Sequence, residues 1–377
     1  MRSLTTDYDP LDRLLAATDA DAFIHVGDRS DPIQLYLTRF HGPDRPYAFV
    51  YDGTARLCAP ALFAEQARRE FDGQVVSAST QTERDPALRA ATLCPAEATI
   101  AVLPSLAVEH IKRLEDAGGV VETVDPAPLA AARRRKRPAE RERLRRVQRA
   151  TQAGMARAER VLAAATPDGD DLRWEGAPLT TERLRRQVNA ALAERGVTDA
   201  VNTVIGAGPT CADLHFVGED AIHPGETVLL DVSPRGPDGY HGDFSRTFVA
   251  GDPGEWEQAA HTAVDAALKA ALEALSDGAG TEGAAVRAAV DEALALHDID
   301  EAEMTHGPGH GVGLALHESP GYDGRFHEGD IITVEPGLYD PARGGVRLEE
   351  LVIVRADDIE RVGDYPRTLA PRPDAAD

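Results

Sequence analysis

An order of two helices followed by two strands occurs twice between residues 140 and 355, and it constrains the fold more than any other feature. Apolar residues at three- to four-residue spacing predict helices over 139–165, 180–196, 255–275 and 281–297. Short apolar runs predict strands over 227–234, 242–251, 330–337 and 345–354. Because sequence identity between the halves is slight, the order of elements alone carries this prediction of an internal repeat.

The N-terminal part of the chain predicts a smaller α/β domain. Strands are expected over 21–27 and 98–104, and a hairpin over 46–60 turns at Asp52-Gly53. We place this domain at 1–128, a connector at 129–139 and the repeat domain at 140–377. The first domain has no evident nucleophile or metal constellation, so we expect it to support or cover a site elsewhere.

The charge balance excludes several classes of partner. The chain has 64 acidic residues against 37 arginines and three lysines, for a net charge of −24. Such a surface repels nucleic acid and anionic membranes, and it is similar to the surface of proteins adapted to high salt. Three widely spaced cysteines, no long apolar run and an N-terminus without an apolar segment predict a cytoplasmic protein.

Residues 133–149, RRRKRPAERERLRRVQR, form a basic run in this acidic chain. A nucleic-acid patch or a localisation signal is one interpretation. We favour a segment between domains that continues into an amphipathic helix, because apolar residues recur at helical spacing. These residues are Leu144, Val147, Thr151, Met155, Ala158, Val161 and Leu162.

Four carboxylates occur in the predicted strands of the repeat domain, two in each half. Charged residues in apolar strands are costly unless a partner neutralises them. If the halves face each other, the four would converge, and a pair of divalent cations would remove their repulsion. With one imidazole added, such an oxygen-rich set suits Mn²⁺, Co²⁺ or Fe²⁺, and Zn²⁺ is also possible. The carboxylates are Asp231, Asp243, Glu335 and Glu349.

The stretch 305–320, THGPGHGVGLALHESP, holds three of the 12 histidines. A phosphate-binding glycine loop is excluded because the glycines do not follow G-x-G-x-x-G and no P-loop lysine follows. The helical zinc motif H-E-x-x-H is also absent. This stretch is therefore expected to supply the imidazole.

The order Asp231, Asp243, His310, Glu335, Glu349 resembles the five-ligand set of the pita-bread metallopeptidases. The motifs LLDV…GYHGDFSRTF, HGPGHGVGLALHESP, ITVEPGLY and GGVRLEE are similar to theirs as well. The resemblance covers about residues 140–365 and implies a pita-bread domain with an internal pseudo-two-fold repeat. The N-terminal α/β domain resembles that of the aminopeptidase P and prolidase branch, and methionine aminopeptidases generally lack it.

The resemblance also implies roles. Asp231 would chelate one metal ion, Asp243 and Glu349 would bridge two, and His310 and Glu335 would complete the second. A hydroxide between the ions would be the nucleophile, and Glu335 would act as the acid and base. The remaining catalytic residues implied are His215 near the leaving group, His317 on the substrate carbonyl, and His306 and Arg347 in the pocket.

The branch further implies an Xaa-Pro aminopeptidase or Xaa-Pro dipeptidase with two divalent ions, preferably Mn²⁺ or Co²⁺, and a homodimer. Its substrates would be peptides with proline in the second position. The chain departs from the family pattern at Asp231-Val232-Ser233, at Arg347-Leu348-Glu349-Glu350 and in the twelve-residue spacing from Asp231 to Asp243. Alternatives are an inactive pita-bread protein that binds peptides or proteins, and a creatinase-like hydrolase that needs no metal.

Overall fold

The computed structural model describes residues 4–77, 84–297 and 303–376. Contacts within the chain divide it into two compact units, Met1–Arg133 and Arg134–Asp377. The segment 129–139, which we predicted as a connector, contains the end of one helix and the start of another.

The first unit is built on a six-stranded mixed sheet of order β4-β3-β2-β1-β5-β6. The predicted hairpin is present, because β2 and β3 pair antiparallel on either side of the Asp52-Gly53 turn. Ile24, Val50 and Ile100 are fully or almost fully buried beneath the helices. The strands are β1 Ala22–Gly27, β2 Tyr47–Tyr51, β3 Ala55–Ala59, β4 Gln74–Ser77, β5 Thr99–Val102 and β6 Val120–Thr123. The helices are α1 Asp9–Thr18, α2 Pro32–Thr38, α3 Ala64–Glu70, α4 Pro86–Ala91, α5 Val108–Asp116 and α6 Ala127–Arg134, with a 3-10 turn at Ala61–Phe63.

The first half of the second unit contains two long helices, α7 Pro138–Ala164 and α8 Thr181–Glu194. The Thr180 hydroxyl accepts a hydrogen bond from the Arg183 backbone N–H and caps α8. Both helices contribute to one apolar core with an antiparallel sheet of order β10-β11-β12. Its strands are β10 Thr203–Ala207, β11 Thr227–Val232 and β12 Phe244–Val249. A small three-stranded sheet precedes α8, with β7 Thr166–Asp168, β8 Asp171–Trp174 and β9 Ala177–Pro178.

The second half repeats this order with α9 Glu255–Ala274 and α10 Gly283–Ala295. These helices share a core with strands of an antiparallel sheet of order β13-β16-β17 and with the hairpin β14-β15. The strands are β13 Ile331–Val334, β14 Gly337–Asp340, β15 Gly344–Arg347, β16 Glu350–Val354 and β17 Ile359–Arg361. The Glu349 N–H donates to the carbonyl of Ser245 on β12, which brings the strands of the two halves together.

The basic run begins at the end of α6 and continues along α7. All seven apolar-face positions that we named are buried, which confirms the amphipathic helix. Its basic residues form ion pairs with acids of the same unit, among them Arg134 with Asp330 and Arg145 with Glu360. Among the described residues, none of the helices has the length and hydropathy that crossing a bilayer requires.

Candidate metal centre

Three of the predicted carboxylates meet where the two halves face each other. Asp231 lies on β11, Asp243 directly precedes β12, and Glu349 lies between β15 and β16. One oxygen of each lies within 4.8 Å of the others. Asp243 and Glu349 are 4% and 1% exposed, so water does not screen their mutual repulsion.

The other two predicted ligands extend this cluster on one side. His310 Nε2 lies 3.4 Å from Asp243 Oδ2 and 3.4 Å from Glu335 Oε1. Asp243 therefore belongs to two adjoining groups, one with Asp231 and Glu349 and one with His310 and Glu335. All five residues that the sequence predicted as ligands are brought together.

The strand positions that we predicted for these carboxylates are correct only for Asp231. Asp243 and Glu335 lie just outside strand ends, and the strand predicted over 345–354 is interrupted at Leu348-Glu349. The alternation of faces is nevertheless kept, because Ser245 and Thr333, two residues from Asp243 and Glu335, also contact carboxylates of the cluster. The long connection before Asp243 continues the hairpin through a bridge between Arg235 and His241 and accommodates the twelve-residue spacing.

Three hydroxyl groups orient the carboxylates. Ser233 Oγ donates to Asp243 Oδ1 at 2.9 Å, and Ser245 Oγ donates to Glu349 Oε2 at 2.9 Å. Thr333 Oγ1 donates to Glu335 Oε1 at 2.9 Å. None of these hydroxyl residues was predicted to take part in the site, although Ser233, Ser245 and Thr333 each stand two residues from a predicted ligand. Such hydrogen bonds fix the direction in which a ligand carboxylate points.

The protonation of the cluster reflects its burial and its crowding. Burial and the charge of Asp231 raise the pKa of Asp243 to about 6, although a hydrogen bond with His310 opposes this. Burial and the charges of Asp243 and Glu335 raise the pKa of Glu349 well above its ordinary value. Burial alone would lower the pKa of His310, but Asp243 outweighs it and raises that pKa to about 9. His310 thus retains a proton at neutral pH, and the raised pKa values of Asp243 and Glu349 are those expected for crowded acids that lack a cation.

The donor set fits a pair of divalent metal ions. Glu349 Oε1 is buried and has no hydrogen-bond donor among the described residues, so it is free to bind a cation. Four carboxylates and one imidazole form the oxygen-rich donor set that Mn²⁺, Co²⁺ and Fe²⁺ accept. The group Asp231, Asp243 and Glu349 could hold one ion and the group Asp243, His310 and Glu335 the other.

A cavity is lined by four of the five predicted ligands and by the remaining predicted residues. The predicted ligands are Asp231, Asp243, His310 and Glu335, and the others are His215, His306, His317 and Arg347. Asn202, Leu214, Ser233 and Leu316 also line it. The rings of His310 and His317 lie 4.1 Å apart between centroids. Burial, followed by the charge of His310, lowers the pKa of His317, so His317 is neutral at pH 7.

Arg347 and His306 lie on the wall beside Asp231. Arg347 Nη2 is 2.6 Å from Asp231 Oδ2, and Arg347 Nε donates to Ser245 Oγ at 2.9 Å. His306 Nε2 shares a 2.8 Å hydrogen bond with the hydroxyl of Tyr339. Tyr339 was not predicted, because nothing in the run ITVEPGLY distinguishes it from a core tyrosine.

Two glycines of the stretch 305–320 are required by close approach. Gly309 has φ +153°, and a Cβ there would collide with the carbonyl of Thr333. A Cβ on Gly311 would collide with the backbone of Glu318 and Ser319. These glycines therefore bring the His310 backbone against β13 and the chain after it against Glu318.

Known proteins that are similar to this chain indicate its family. The profile of metallopeptidase family M24 matches residues 142–356. A probable dipeptidase PepE of Mycobacterium tuberculosis is 30% identical over 287 residues, or 75% of this chain and 72% of that protein. The Xaa-Pro dipeptidase of Pyrococcus furiosus is 34% identical over 179 residues, 45% of this chain and 49% of that protein. The prolidase structure from Pyrococcus horikoshii matches 96% of this chain and 98% of its own, with a TM-score of 0.82 and 22% identity.

Proposed function

The chain belongs to metallopeptidase family M24 and has its two-domain pita-bread fold, and from this premise we propose that it hydrolyses peptide bonds that precede proline. It would act as an Xaa-Pro aminopeptidase or Xaa-Pro dipeptidase on peptides with proline in the second position. The observation that supports this most is the pair of adjoining donor groups that share Asp243 at the floor of the cavity.

We assign the five converging residues to two divalent ions. Asp231 would hold the first, Asp243 and Glu349 would hold both, and His310 and Glu335 would complete the second. When bound, a pair of such ions lowers the pKa of a coordinated water and polarises a carbonyl group. The hydroxyls of Ser233, Ser245 and Thr333 keep the carboxylates pointed at the ions.

Glu335 is suited to move the proton during hydrolysis. Its Oε1 accepts from Thr333, and its Oε2 lies 3.9 Å from Arg347 Nε, so both oxygens are held on the cavity wall. As the water oxygen adds to the carbonyl carbon, Glu335 takes the water's proton. It then delivers that proton to the leaving nitrogen as the C–N bond breaks.

The nitrogen of a proline carries no N–H, and the residue before it has restricted backbone angles. Most sites for ordinary peptide bonds are therefore poorly suited to it. Several relatives are named Xaa-Pro dipeptidase, which supports this substrate class. His215 would lie near the leaving proline, and His306 and Arg347 would shape the wall around the peptide.

The experiment that tests this proposal is a peptide panel with Mn²⁺- and Co²⁺-loaded protein. We expect hydrolysis of Xaa-Pro dipeptides or Xaa-Pro-Yaa peptides, and little hydrolysis of Xaa-Ala or Met-Ala controls. An inactive binding protein would hydrolyse none of these. A metal-independent hydrolase would keep its activity after chelation, and either result would overturn the proposal.

Replacing His317 by alanine is expected to lower kcat by roughly 10²-fold. A neutral imidazole on the cavity wall can donate a hydrogen bond to the substrate carbonyl as negative charge develops there. The kcat on an Xaa-Pro peptide and the bound metal measure this, and the metal content should not change. An unchanged kcat would remove His317 from catalysis.

The acidic surface should make the protein more stable in salt. With a net charge of −24, self-repulsion falls as the Debye length shortens from about 10 Å at 0.1 M to about 3 Å at 1 M. We expect Tm to rise steadily between 0.1 and 2 M KCl, measured on metal-free protein to avoid effects on the site. A flat or falling Tm would contradict this. The predicted homodimer is tested by light scattering on the same samples.

A further inference from the structure

The one buried lysine of the chain lies behind the segment that carries His310 and His317. Lys136 Nζ is 2.7 Å from Glu318 Oε1, with side chains 1% and 8% exposed. Lys112 and Lys269 are the only other lysines in the sequence. A buried ammonium and carboxylate in contact neutralise each other, and loss of one leaves the other uncompensated in a poorly hydrated place.

Glu318 connects this ion pair to residues 310–318, which we call the histidine loop. The Glu318 N–H donates to the Gly311 carbonyl at 2.9 Å, and Glu318 Oε2 accepts from the Ala315 N–H at 3.2 Å. Its carboxylate also lies against Gly313. Through its N–H and its carboxylate, Glu318 thus binds two backbone positions of the loop that lie between His310 and His317.

Lys136 in turn is fixed to the strand that leads to Glu335. Its backbone N–H donates to the Gly329 carbonyl at 3.2 Å, two residues before β13. The neighbouring Arg134 pairs with Asp330, whose side chain is fully buried. The start of the basic run therefore connects the histidine loop to β13, at the two places from which His310 and Glu335 reach the cluster.

We propose that Lys136 is a positioning residue: through its ion pair with Glu318 it holds the histidine loop so that His310 and His317 face the cavity. The basic run, which the proposed hydrolysis leaves without a role, thereby becomes a support for the site. The effect on catalysis rests on the proposed function, whereas the effects on the loop and on metal affinity do not.

The test compares Lys136→Met, Lys136→Arg, Glu318→Gln and the double variant Lys136→Met/Glu318→Gln. Arg145→Met is the matched control, because Arg145, on α7 within the same basic run, forms an ion pair of the same 2.7 Å length with Glu360. Hydrogen exchange of the peptide covering 305–320 is measured on metal-free protein, and Mn²⁺ affinity is measured by competition with a chelator. Where an Xaa-Pro peptide is hydrolysed, kcat and KM follow.

We expect Lys136→Met and Glu318→Gln to speed exchange in the histidine loop and to weaken Mn²⁺ binding about tenfold, in the range typical for loss of a group that orients ligands. The fold-decrease in kcat should be larger than any fold-increase in KM. Lys136→Arg should restore part of each effect, and the double variant should lose less than the two single variants combined. Arg145→Met should leave the loop and Mn²⁺ binding unchanged.

The proposal would be overturned if folded Lys136→Met protein had wild-type hydrogen exchange and wild-type Mn²⁺ affinity. It would also be overturned if Arg145→Met changed both measurements as much as Lys136→Met does. If Lys136→Met does not fold, Glu318→Gln and Lys136→Arg decide by the same two measurements. Absence of Xaa-Pro hydrolysis in wild-type protein would overturn the proposed function alone, because exchange and Mn²⁺ binding still report on Lys136.

Discussion

Replacing Glu349 by glutamine is expected to abolish metal-dependent hydrolysis and yet to stabilise the metal-free protein. Glu349 is buried, and its pKa is raised well above the ordinary 4.5 by burial and by Asp243. A carboxyl group whose pKa is higher in the folded state makes its full contribution to folding stability below its ordinary pKa. That contribution is lost as pH rises through the folded value. At higher pH the fold carries the cost of burying an ionised carboxylate beside other carboxylates. Glutamine removes that cost, and it also removes a ligand proposed to be shared by the two ions.

The expected magnitudes follow from these two roles. Loss of a ligand shared by both ions should lower kcat/KM by a factor on the order of 10³ or more. The Tm of EDTA-treated Glu349→Gln at pH 8 should exceed that of wild-type protein by roughly 5 °C, and the two should converge near pH 4.5. Added Mn²⁺ should raise the Tm of wild-type protein far more than that of the variant.

Glu360→Gln is the matched control, with the opposite sign. Hydrogen bonds from Arg145 and Arg355, acting against burial, lower the pKa of Glu360 to about 2. This carboxylate therefore stabilises the fold above pH 4.5, and glutamine should lower Tm at pH 8 without affecting hydrolysis. A lower Tm of metal-free Glu349→Gln protein at pH 8 would show that burial and the neighbouring carboxylates do not make ionised Glu349 destabilising.

Metal binding should release at least one proton at pH 7, and its affinity should rise with pH. In metal-free protein His310, with a pKa of about 9, holds a proton at that pH, whereas Asp243, with a pKa of about 6, is largely ionised. Burial and the neighbouring carboxylates also raise the pKa of Glu349 well above its ordinary value. Ligands must lose these protons to bind a cation. Apparent affinity for Mn²⁺ should therefore increase at least roughly tenfold per pH unit near neutrality, and less as pH passes 9.

Calorimetric titration with Mn²⁺ in buffers of different ionisation enthalpy counts the released protons. His310→Ala should bind more weakly and release about one proton fewer, because the imidazolium proton is gone. Binding without proton release, or a His310→Ala protein with wild-type affinity, would show that His310 does not bind the metal.

The sequence predicted which five residues converge better than it predicted how they converge. Asp231, Asp243, His310, Glu335 and Glu349 are identified because charged residues next to apolar strands need a cation, and because their order resembles one family. Regular alternation does not locate the strand breaks beside Asp243, Glu335 and Glu349, since those breaks follow from the facing halves. Tertiary pairing decides such positions, and no local pattern encodes it.

For the same reason, the sequence patterns do not predict contacts between residues that are distant in the chain. The pairs Lys136–Glu318 and His306–Tyr339 join residues from separate elements. The departures from the family pattern have physical explanations only in the fold. Ser233 donates to Asp243, and Glu350 accepts from the buried Arg246, whose guanidinium also donates to the Glu349 carbonyl. Both substituted residues thus support ligands.

A stepwise Mn²⁺ titration of metal-free protein determines whether hydrolysis depends on two bound ions. Each addition is followed by hydrolysis of an Xaa-Pro dipeptide and by analysis of bound metal. The two donor groups that share Asp243 predict that activity is absent without metal, reaches its maximum at two ions per chain and is removed by chelation. Full binding of two ions with no hydrolysis of any Xaa-Pro bond, or hydrolysis that persists without metal, would contradict the account.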